Sequence, residues 1–421
     1  MPIPMMSIST WSINIGDIMI INRPELLAPA GTLEKLKIAL IYGADAVYIG
    51  GKEFSLRAFG GNFTDAELKH GVDFAHSMKR KVYVTVNVFA HNEDIVELPE
   101  YLKYLDNIGV DAVLISDLGV FSLAKELTNL ELHVSTQANV TNYKTVEMWH
   151  KLGASRVVLA RELSQKEIVD IKNHCDVELE MFVHGAMCIS YSGRCYLSHY
   201  LTGRDGNQGQ CTHSCRWKYN LVEEKRPGEY FEVDEDENGA YVMNSKDLCL
   251  LPCLDRVIES GVSSLKIEGR MKSIHYVAGV VKIYREAIDS YFNNDFKIRE
   301  DWLDELDKVA HRPYTTGFFI HDENGTEIHD TSKAKQSSTF LGVVREFNSV
   351  DNIAIVEQRG KLEVGQQIEI LQPQGQTFLQ TLTSMFDEEG NSINAAPHAQ
   401  QIVKIKLSQS AQPWSLIRTA K

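Results

Sequence analysis

The segment YGADAV (residues 42–47) decides the fold, because its pattern returns three more times along the chain. It recurs as IGVDAV (108–113), LGASRV (152–157) and SGVSSL (260–265). In each copy a helical stretch ends at glycine, the residue that best tolerates the left-handed backbone beyond a helix, and a short apolar run follows. A repeated helix-to-strand step of this kind predicts an α/β protein with a parallel sheet.

Eight apolar runs are predicted strands, and the segments between them carry apolar residues at helical spacing. Eight such strands predict a closed (β/α)₈ TIM-like barrel, with a doubly wound open sheet as the alternative. The runs are ELLAPAG (25–31), DAVYIGG (45–51), KVYVTVNVF (81–89), AVLIS (112–116), ELHVSTQANV (131–140), RVVLARE (156–162), ELEMFVHG (178–185) and SSLKIEGR (263–270).

The chain of 421 residues is long enough for more than one domain. From about Phe340 the pattern changes to short alternating strands separated by Gly, Asn and Pro, which predicts a small all-β barrel. The predicted parts are an N-terminal extension (1–22), a barrel domain (23–320) with a long Cys-rich insertion (186–262), a linker (321–339) and the β-barrel domain (340–421).

The composition indicates in which compartment the protein acts and which partners it can bind. The formal net charge of −14 argues against a broadly basic nucleic-acid binder, although it allows a local basic groove. No apolar run approaches the roughly 18 residues of a membrane span, and the N-terminus does not read as a signal peptide. We therefore expect a cytoplasmic protein with no membrane partner, whose thiols are kept reduced rather than paired as disulfides.

Polar residues occur at the C-terminal ends of the predicted strands. The active sites of TIM-like barrels lie at these ends. A basic set near the same ends predicts an anionic ligand, such as a carboxylate, a phosphate or an RNA backbone, with ordinary loop anchors and salt bridges as the alternative. The strand-end residues are Asn87, Gln137, Asn139, Arg161, Glu162, His184, Glu268 and Arg270, and the basic set comprises Arg194, Arg204, Arg216, Lys218, Lys266, Arg270 and Lys272.

The stretch 184–215 holds four of the seven cysteines: Cys188, Cys195, Cys211 and Cys215. Four thiolates on one loop suit zinc or an iron–sulfur cluster, and the wide first gap slightly favours a cluster. The alternative without a metal is that these cysteines are buried thiols that only pack in the core. A nucleophilic cysteine paired with His184, His199 or His213 is a further alternative. Cys249 is a reserve ligand.

The stretch ELEMFVHGAMCISYSGRCYLS (178–198) resembles the signature of the collagenase-like peptidase family U32, and CTHSCRW, NSKDL and LKIEGRMKS resemble other segments of that family. Family members hold a [4Fe–4S] cluster on cysteines, so the resemblance implies Cys188, Cys195, Cys211 and Cys215 as ligands. The resemblance leaves open whether the fourth ligand is Cys215 or Cys249. The form HGAMCIxYSGRC is most similar to the branch that hydroxylates tRNA. The signature residues are Glu180, Phe182, Gly185, Ala186, Met187, Cys188, Gly193, Cys195, Leu197 and Ser198.

The leading hypothesis is therefore an iron–sulfur enzyme that converts the wobble uridine of tRNA to 5-hydroxyuridine without oxygen, with prephenate as a dicarboxylate co-substrate. Peptidase activity on extended peptides and a non-catalytic iron–sulfur scaffold or accessory subunit are the alternatives, and an electron donor or accessory subunit is a further partner. Candidate catalytic residues are His184, Glu162 and Gln137. Predicted substrate-binding residues are Asn87, Gln137, Asn139, Arg161, Arg194, Lys266, Glu268 and Arg270.

Overall fold

Eight parallel strands close into a barrel, which confirms the predicted TIM-like fold and excludes the open sheet. Closure is direct, because the last barrel strand, β11, pairs in parallel with both β1 and β7. The strands of this part are β1 Glu25–Pro29, β2 Ala46–Ile49, β3 Lys81–Val86, β4 Ala112–Ile115, β5 Glu131–Val134, β6 Arg156–Val158, β7 Glu178–Ala186, β8 Glu235–Asp236, β9 Gly239–Ala240, β10 Asp247–Cys249, β11 Ser264–Ile267 and β12 Tyr314–Thr315.

Helices cover the outside of the barrel. Among the described residues each helix is too short or too polar to cross a membrane. They are α1 Leu33–Ile41, α2 Asp65–Ser77, α3 Asn92–Asn107, α4 Leu118–Leu127, α5 Tyr143–Leu152, α6 Gln165–His174, α7 Leu197–Thr202, α8 Leu254–Glu259, α9 Ile274–Phe292 and α10 Glu300–Asp307. This computed structural model describes residues 22–51, 54–55, 62–188, 190–216, 235–236, 239–240, 246–320 and 335–420, so most of the predicted N-terminal extension and linker, and Lys218, lie outside it.

The recurring helix-to-strand segments work as the sequence indicates. In two copies an aspartate also fixes the neighbouring strand: Asp45 accepts the backbone N–H of Leu26 at 3.0 Å, and Asp111 accepts that of Val82 at 2.7 Å. Each bond joins the start of one strand to the strand before it, which aligns the two. The four glycines all have positive φ, at +113° for Gly43, +84° for Gly109, +118° for Gly153 and +79° for Gly261.

Two strands that the sequence did not predict join the barrel sheet: β10, in the Cys-rich insertion, and β12, which follows α10. Strand β10 pairs antiparallel with β7, and β12 pairs in parallel with β10. Cys249 therefore ends a strand, and Cys253 lies in a 3₁₀ turn before α8.

The C-terminal part is all-β, as predicted, and forms an antiparallel half-barrel. Its seven-stranded sheet has the order β17-β16-β21-β13-β14-β20-β18, and β15 pairs with β19 separately. The strands are β13 Phe340–Asn348, β14 Ile353–Gln358, β15 Leu362–Glu363, β16 Gln367–Leu371, β17 Phe378–Thr381, β18 Met385–Phe386, β19 Ala395–Ala396, β20 Ile402–Lys406 and β21 Leu416–Thr419.

A buried ion cluster joins the half-barrel to the TIM-like barrel. The Arg418 guanidinium, fully buried, donates to both carboxylate oxygens of Glu305 on α10 at 2.5 and 2.6 Å, and to Glu369 at 2.6 Å. Tyr42, at the end of α1, donates its hydroxyl to two backbone carbonyls of the half-barrel at 2.9 and 3.0 Å. Because these groups are removed from water, separating the two parts would expose unpaired charges and polar atoms.

Candidate active site at the barrel mouth

A cavity of about 100 Å³ lies at the carboxyl end of the barrel strands, where TIM-like barrels place their active sites. Its walls come from the ends of several strands and from the loops that follow them. Six of the eight predicted substrate-binding residues line it: Asn87, Gln137, Arg161, Lys266, Glu268 and Arg270. Tyr48, Thr85, Ser135 and Phe182 complete much of the wall.

Two arginines in the cavity wall are held by uncharged oxygens. Arg270 is buried and donates to the hydroxyls of Ser55 at 2.9 Å and Thr85 at 3.2 Å, and to the side-chain oxygen of Asn62 at 2.9 Å. Arg161 donates to the backbone carbonyl of Ala186 at 2.7 Å. These bonds fix two guanidinium groups at the cavity wall, which also carries Lys266 and Glu268.

A buried ionic chain supports the cavity from inside the barrel. Lys266 donates to Glu180 at 2.7 Å, and Glu180 also accepts from Arg156 at 3.2 Å. Burial alone would raise the pKa of Glu180, but Lys266 and Arg156 outweigh it and lower that pKa to about 2. Burial lowers the pKa of Lys266, against the opposing effect of Glu180.

Sequence reasoning missed Glu180 and Arg156 as a supporting pair. Their signal was a charged residue beside the apolar residues of each of two predicted strands: Glu180 in ELEMFVHG and Arg156 at the start of RVVLARE. Arg156 also donates to Glu25 at 2.6 Å, so the chain of charges continues to the opposite end of the barrel.

The four clustered cysteines lie on one loop, residues 187–216, which we call the thiol loop. It is attached to the barrel at two strand ends. Glu162 accepts the backbone N–H of Ser192 at 2.8 Å and its hydroxyl at 3.2 Å. Gly193 lies directly against the backbone of Gln137, since a β-carbon there would be 2.0 Å from the Gln137 carbonyl oxygen.

Hydrogen bonds inside the thiol loop connect its two cysteine-bearing halves. Ser198 accepts the backbone N–H of Thr212 at 3.0 Å, and the Asn207 side chain donates to the Cys195 carbonyl at 3.1 Å. All seven cysteines are free thiols. Cys188 is exposed, whereas Cys195, Cys211 and Cys215 are half-buried.

The thiol loop fits a thiolate-bound group in the chemistry of its donors, four soft sulfur ligands on one connected segment. Within the described residues, however, no three His, Cys, Asp or Glu side chains converge as metal ligands do. Cys249 is in a different environment: it belongs to the hydrophobic core, and burial raises the pKa of its thiol to about 12.

The other predicted residues lie outside the cavity wall. His184 is buried beside the rings of Tyr276, Tyr284 and Tyr314, and burial, with Lys272 and His311, lowers its pKa to about 3. Asn139 has a left-handed backbone, with φ of 53°. Arg194 is exposed on the thiol loop. Glu162, a catalytic candidate, is engaged with Ser192, and of the three catalytic candidates only Gln137 lines the cavity.

The fold and site define a TIM-like barrel with a thiol-bearing loop beside a mouth lined by arginine and lysine, and a C-terminal half-barrel. The model of peptidase family U32 matches residues 31–329, and that of the family's C-terminal domain matches residues 336–418. The chain belongs to peptidase family U32.

Three relatives carry names that describe RNA modification. The chain is 44% identical to "tRNA hydroxylation protein P1" of Bacillus subtilis, over 96% of this chain and 97% of that protein. It is 38% identical to "tRNA hydroxylation protein P" of Escherichia coli, over 89% of this chain and 92% of that one. It is 32% identical to a 23S rRNA 5-hydroxycytidine synthase of Escherichia coli, over 72% of this chain and 46% of that protein.

Proposed function

We propose that this protein hydroxylates tRNA, converting the wobble uridine to 5-hydroxyuridine in a prephenate-dependent reaction that does not use oxygen. The observation that supports it best is 44% identity with a tRNA hydroxylation protein along nearly the whole of both chains. The alternative of proteolysis lacks support at the site, because the His184 ring is sealed among tyrosines instead of lining the cavity.

The cavity wall would bind the dicarboxylate co-substrate. Arg161, Lys266 and Arg270 offer cationic hydrogen-bond donors at one mouth, and two carboxylates need two such positions. The Glu180 carboxylate holds the Lys266 ammonium in place while keeping its own charge balanced by Arg156. The amide groups of Asn87 and Gln137 at the same mouth suit the imide edge of a uracil ring.

The size of the cavity requires the target base to leave its stack. A space of about 100 Å³ is too small to enclose two stacked bases. The C5 edge of a uridine is shielded in a helix, whereas an anticodon loop presents it unpaired.

Cys188, Cys195, Cys211 and Cys215 would hold a [4Fe–4S] cluster beside this mouth. Such a cluster supplies one-electron redox chemistry. The chain's own contribution would be to attach the thiol loop at Glu162 and Gln137, which would hold the thiols near the mouth that Gly206 of the same loop lines.

Nucleoside mass spectrometry tests the reaction. In cells lacking this protein and any paralogue, we expect 5-hydroxyuridine and its derivatives to disappear from tRNA and to return with the wild-type gene. Unchanged levels would overturn the proposal.

Cysteine variants test the cofactor separately. Protein purified without oxygen should be brown, with about four irons per chain. Cys188→Ser, Cys195→Ser and Cys211→Ser should lose most of that iron, and Cys253→Ser, a buried thiol outside the thiol loop, is the matched control. Comparing Cys215→Ser with Cys249→Ser identifies the fourth ligand. Colourless protein holding zinc would contradict the cluster.

A further inference from the structure

The side chain of Lys266 is buried inside the barrel and yet belongs to the wall of the mouth cavity. Only 3% of the residue is exposed, and its Nζ atom donates to Glu180 at 2.7 Å. The same atom lies 4.5 Å from the centroid of the Tyr48 ring and 5.4 Å from that of the Phe182 ring, and both rings line the cavity. A desolvated lysine amine beside a ligand cavity is the kind that forms Schiff bases with carbonyl groups.

The surroundings of Lys266 favour the neutral amine, which is the form that attacks a carbonyl carbon. Burial lowers the pKa of Lys266, Glu180 opposes this change without reversing it, and Arg156 and Arg161 add to the lowering. Desolvation and neighbouring cations are the two conditions that activate a lysine as a nucleophile. The carboxylate of Glu180, already hydrogen-bonded to Nζ, is placed to receive the protons that the nitrogen must lose.

A guanidinium group beside this amine marks where a carboxylate would lie. The guanidinium carbon of Arg161 is 3.9 Å from the centroid of the Phe182 ring, the ring that Lys266 also contacts. Lys266 and Arg161 therefore share one short stretch of the cavity wall. A 2-oxo acid has its ketone directly next to a carboxylate, so its two groups match this neighbouring amine and guanidinium.

The charges around the cavity are positive in balance even after every carboxylate is counted. Among the described residues, Lys266, Arg161 and Arg270 line the cavity against one carboxylate, that of Glu268. Glu180, behind Lys266, adds a second negative charge. Arg161 and Arg270 are enough for the two carboxylates of the proposed co-substrate. The amine of Lys266 is then available for the remaining polar group, the ketone.

We propose that Lys266 binds the ketone of a 2-oxo acid covalently, as an imine, while Arg161 binds the adjacent carboxylate. Prephenate carries such a group in its pyruvyl side chain, so the inference rests on the proposed function. The nitrogen lone pair forms the bond to the oxo carbon. Two ammonium protons pass by way of Glu180 to the oxo oxygen, which leaves as water. The product is a protonated imine with the charge of the starting ammonium, so the step needs no oxidant or reductant.

Trapping with sodium cyanoborohydride tests the proposal, because this reductant converts an imine into a stable amine. Protein purified without oxygen is incubated with pyruvate or prephenate, reduced, and analysed by peptide mass mapping. We expect about one adduct per chain, at Lys266. Lactate, which lacks the ketone, should give no adduct. Acetone, which lacks the carboxylate, should label Lys266 much less than pyruvate does.

Three variants complete the test. Lys266→Arg keeps a positive charge next to Glu180 but has no primary amine, so it should lose both the adduct and tRNA hydroxylation. Lys282→Arg is the matched control and should be labelled as wild type is, because Lys282 is also buried, 3.4 Å from the Glu286 carboxylate, but lies outside the cavity wall. Arg161→Gln should need about tenfold more pyruvate for half-maximal labelling, since it removes one charge-assisted bond. If Lys266→Arg misfolds, the mapped position in wild type and the shift in Arg161→Gln carry the test.

The outcomes separate this inference from the proposed function. If wild type hydroxylates tRNA with prephenate but forms no adduct at Lys266, the imine proposal fails alone. Equal labelling of Lys266 and Lys282, equal labelling by pyruvate and acetone, or full hydroxylation by Lys266→Arg would also overturn it. An adduct at Lys266 in a protein whose loss leaves 5-hydroxyuridine in tRNA unchanged would support the imine and overturn the proposed function.

Discussion

Replacing Gly193 by alanine should displace the thiol loop from the barrel mouth. The Gly193 backbone has φ of +72°, and the added β-carbon would lie 2.0 Å from the Gln137 carbonyl oxygen. An ordinary contact begins at 3.4 Å, so the loop must retreat by about 1.4 Å. The obstacle is backbone at a strand end, which cannot rotate away as a side chain would.

Gly203 provides a matched control on the same loop. Its φ is +71°, but a β-carbon there meets nothing within 4 Å. Gly203→Ala therefore carries the same backbone strain, about 1–2 kcal/mol, without the collision. The difference between the two variants isolates the effect of displacing the loop.

Two assays measure the displacement. Because a 1 Å error in positioning can reduce a rate on the order of a hundredfold, we expect Gly193→Ala to lose tRNA hydroxylation by about that factor, and Gly203→Ala to keep most of it. In iron-free protein kept without oxygen, Cys195 should be alkylated faster in Gly193→Ala. Equal activity and equal alkylation in the two variants would refute the contact with Gln137 as the feature that positions the loop.

Three further substitutions test the buried charges and the domain contact. Glu180→Gln should destabilise the barrel by about 3–5 kcal/mol at neutral pH, because it leaves the Lys266 side of the ionic chain uncompensated; urea unfolding measures this. The folded-state pKa of Glu180, about 2, lies below the roughly 4.3 of an unfolded glutamate. The stabilisation by ionised Glu180 is therefore present above about pH 4.3 and is lost as the pH falls towards 2. Between those two pH values the free energy of unfolding of Glu180→Gln should depend less on pH than that of wild type. Arg418→Met should leave the buried Glu305 with only the weaker, 3.5 Å contact to Lys308 and loosen the half-barrel by a similar amount. Limited proteolysis between the two parts should then be faster, and unchanged cleavage would contradict this role of Arg418. Tyr42→Phe should cost about 1–3 kcal/mol by removing the one hydroxyl donor that two backbone carbonyls share, and thermal unfolding that matches wild type would contradict it.

The barrel could be predicted from the sequence because each signal for it lies within one short segment of the chain. Glycine at a helix end followed by a buried apolar run is visible without knowing what lies opposite, and all eight predicted strands are present. Strands β10 and β12 are only three and two residues long, so they carry too little periodicity to be recognised. The half-barrel was visible as alternating strands, but the position of β21 in the middle of its sheet depends on pairing between distant segments.

The site was predictable where strand ends determine it. Arg161 and Arg270 lie at the mouth because they follow barrel strands. Lys266 also lines the mouth, although it lies within strand β11. His184 also follows this rule in sequence, yet the antiparallel pairing of β10 with β7 and the three tyrosines around it close it off. That enclosure comes from the long insertion and from α9, which the strand alone does not reveal.

Strand β21 has two roles that are usually separate. Strand β21 joins β13 to β16 in the interior of the half-barrel sheet, and it also carries Arg418, the residue that anchors this part to α10. During synthesis β21 leaves the ribosome after every other strand of the half-barrel, so neither the sheet nor its anchor can be completed before β21 has emerged. We expect the barrel to fold first and the half-barrel to dock in a single late step, which makes the docked form a signature of a chain that includes β21.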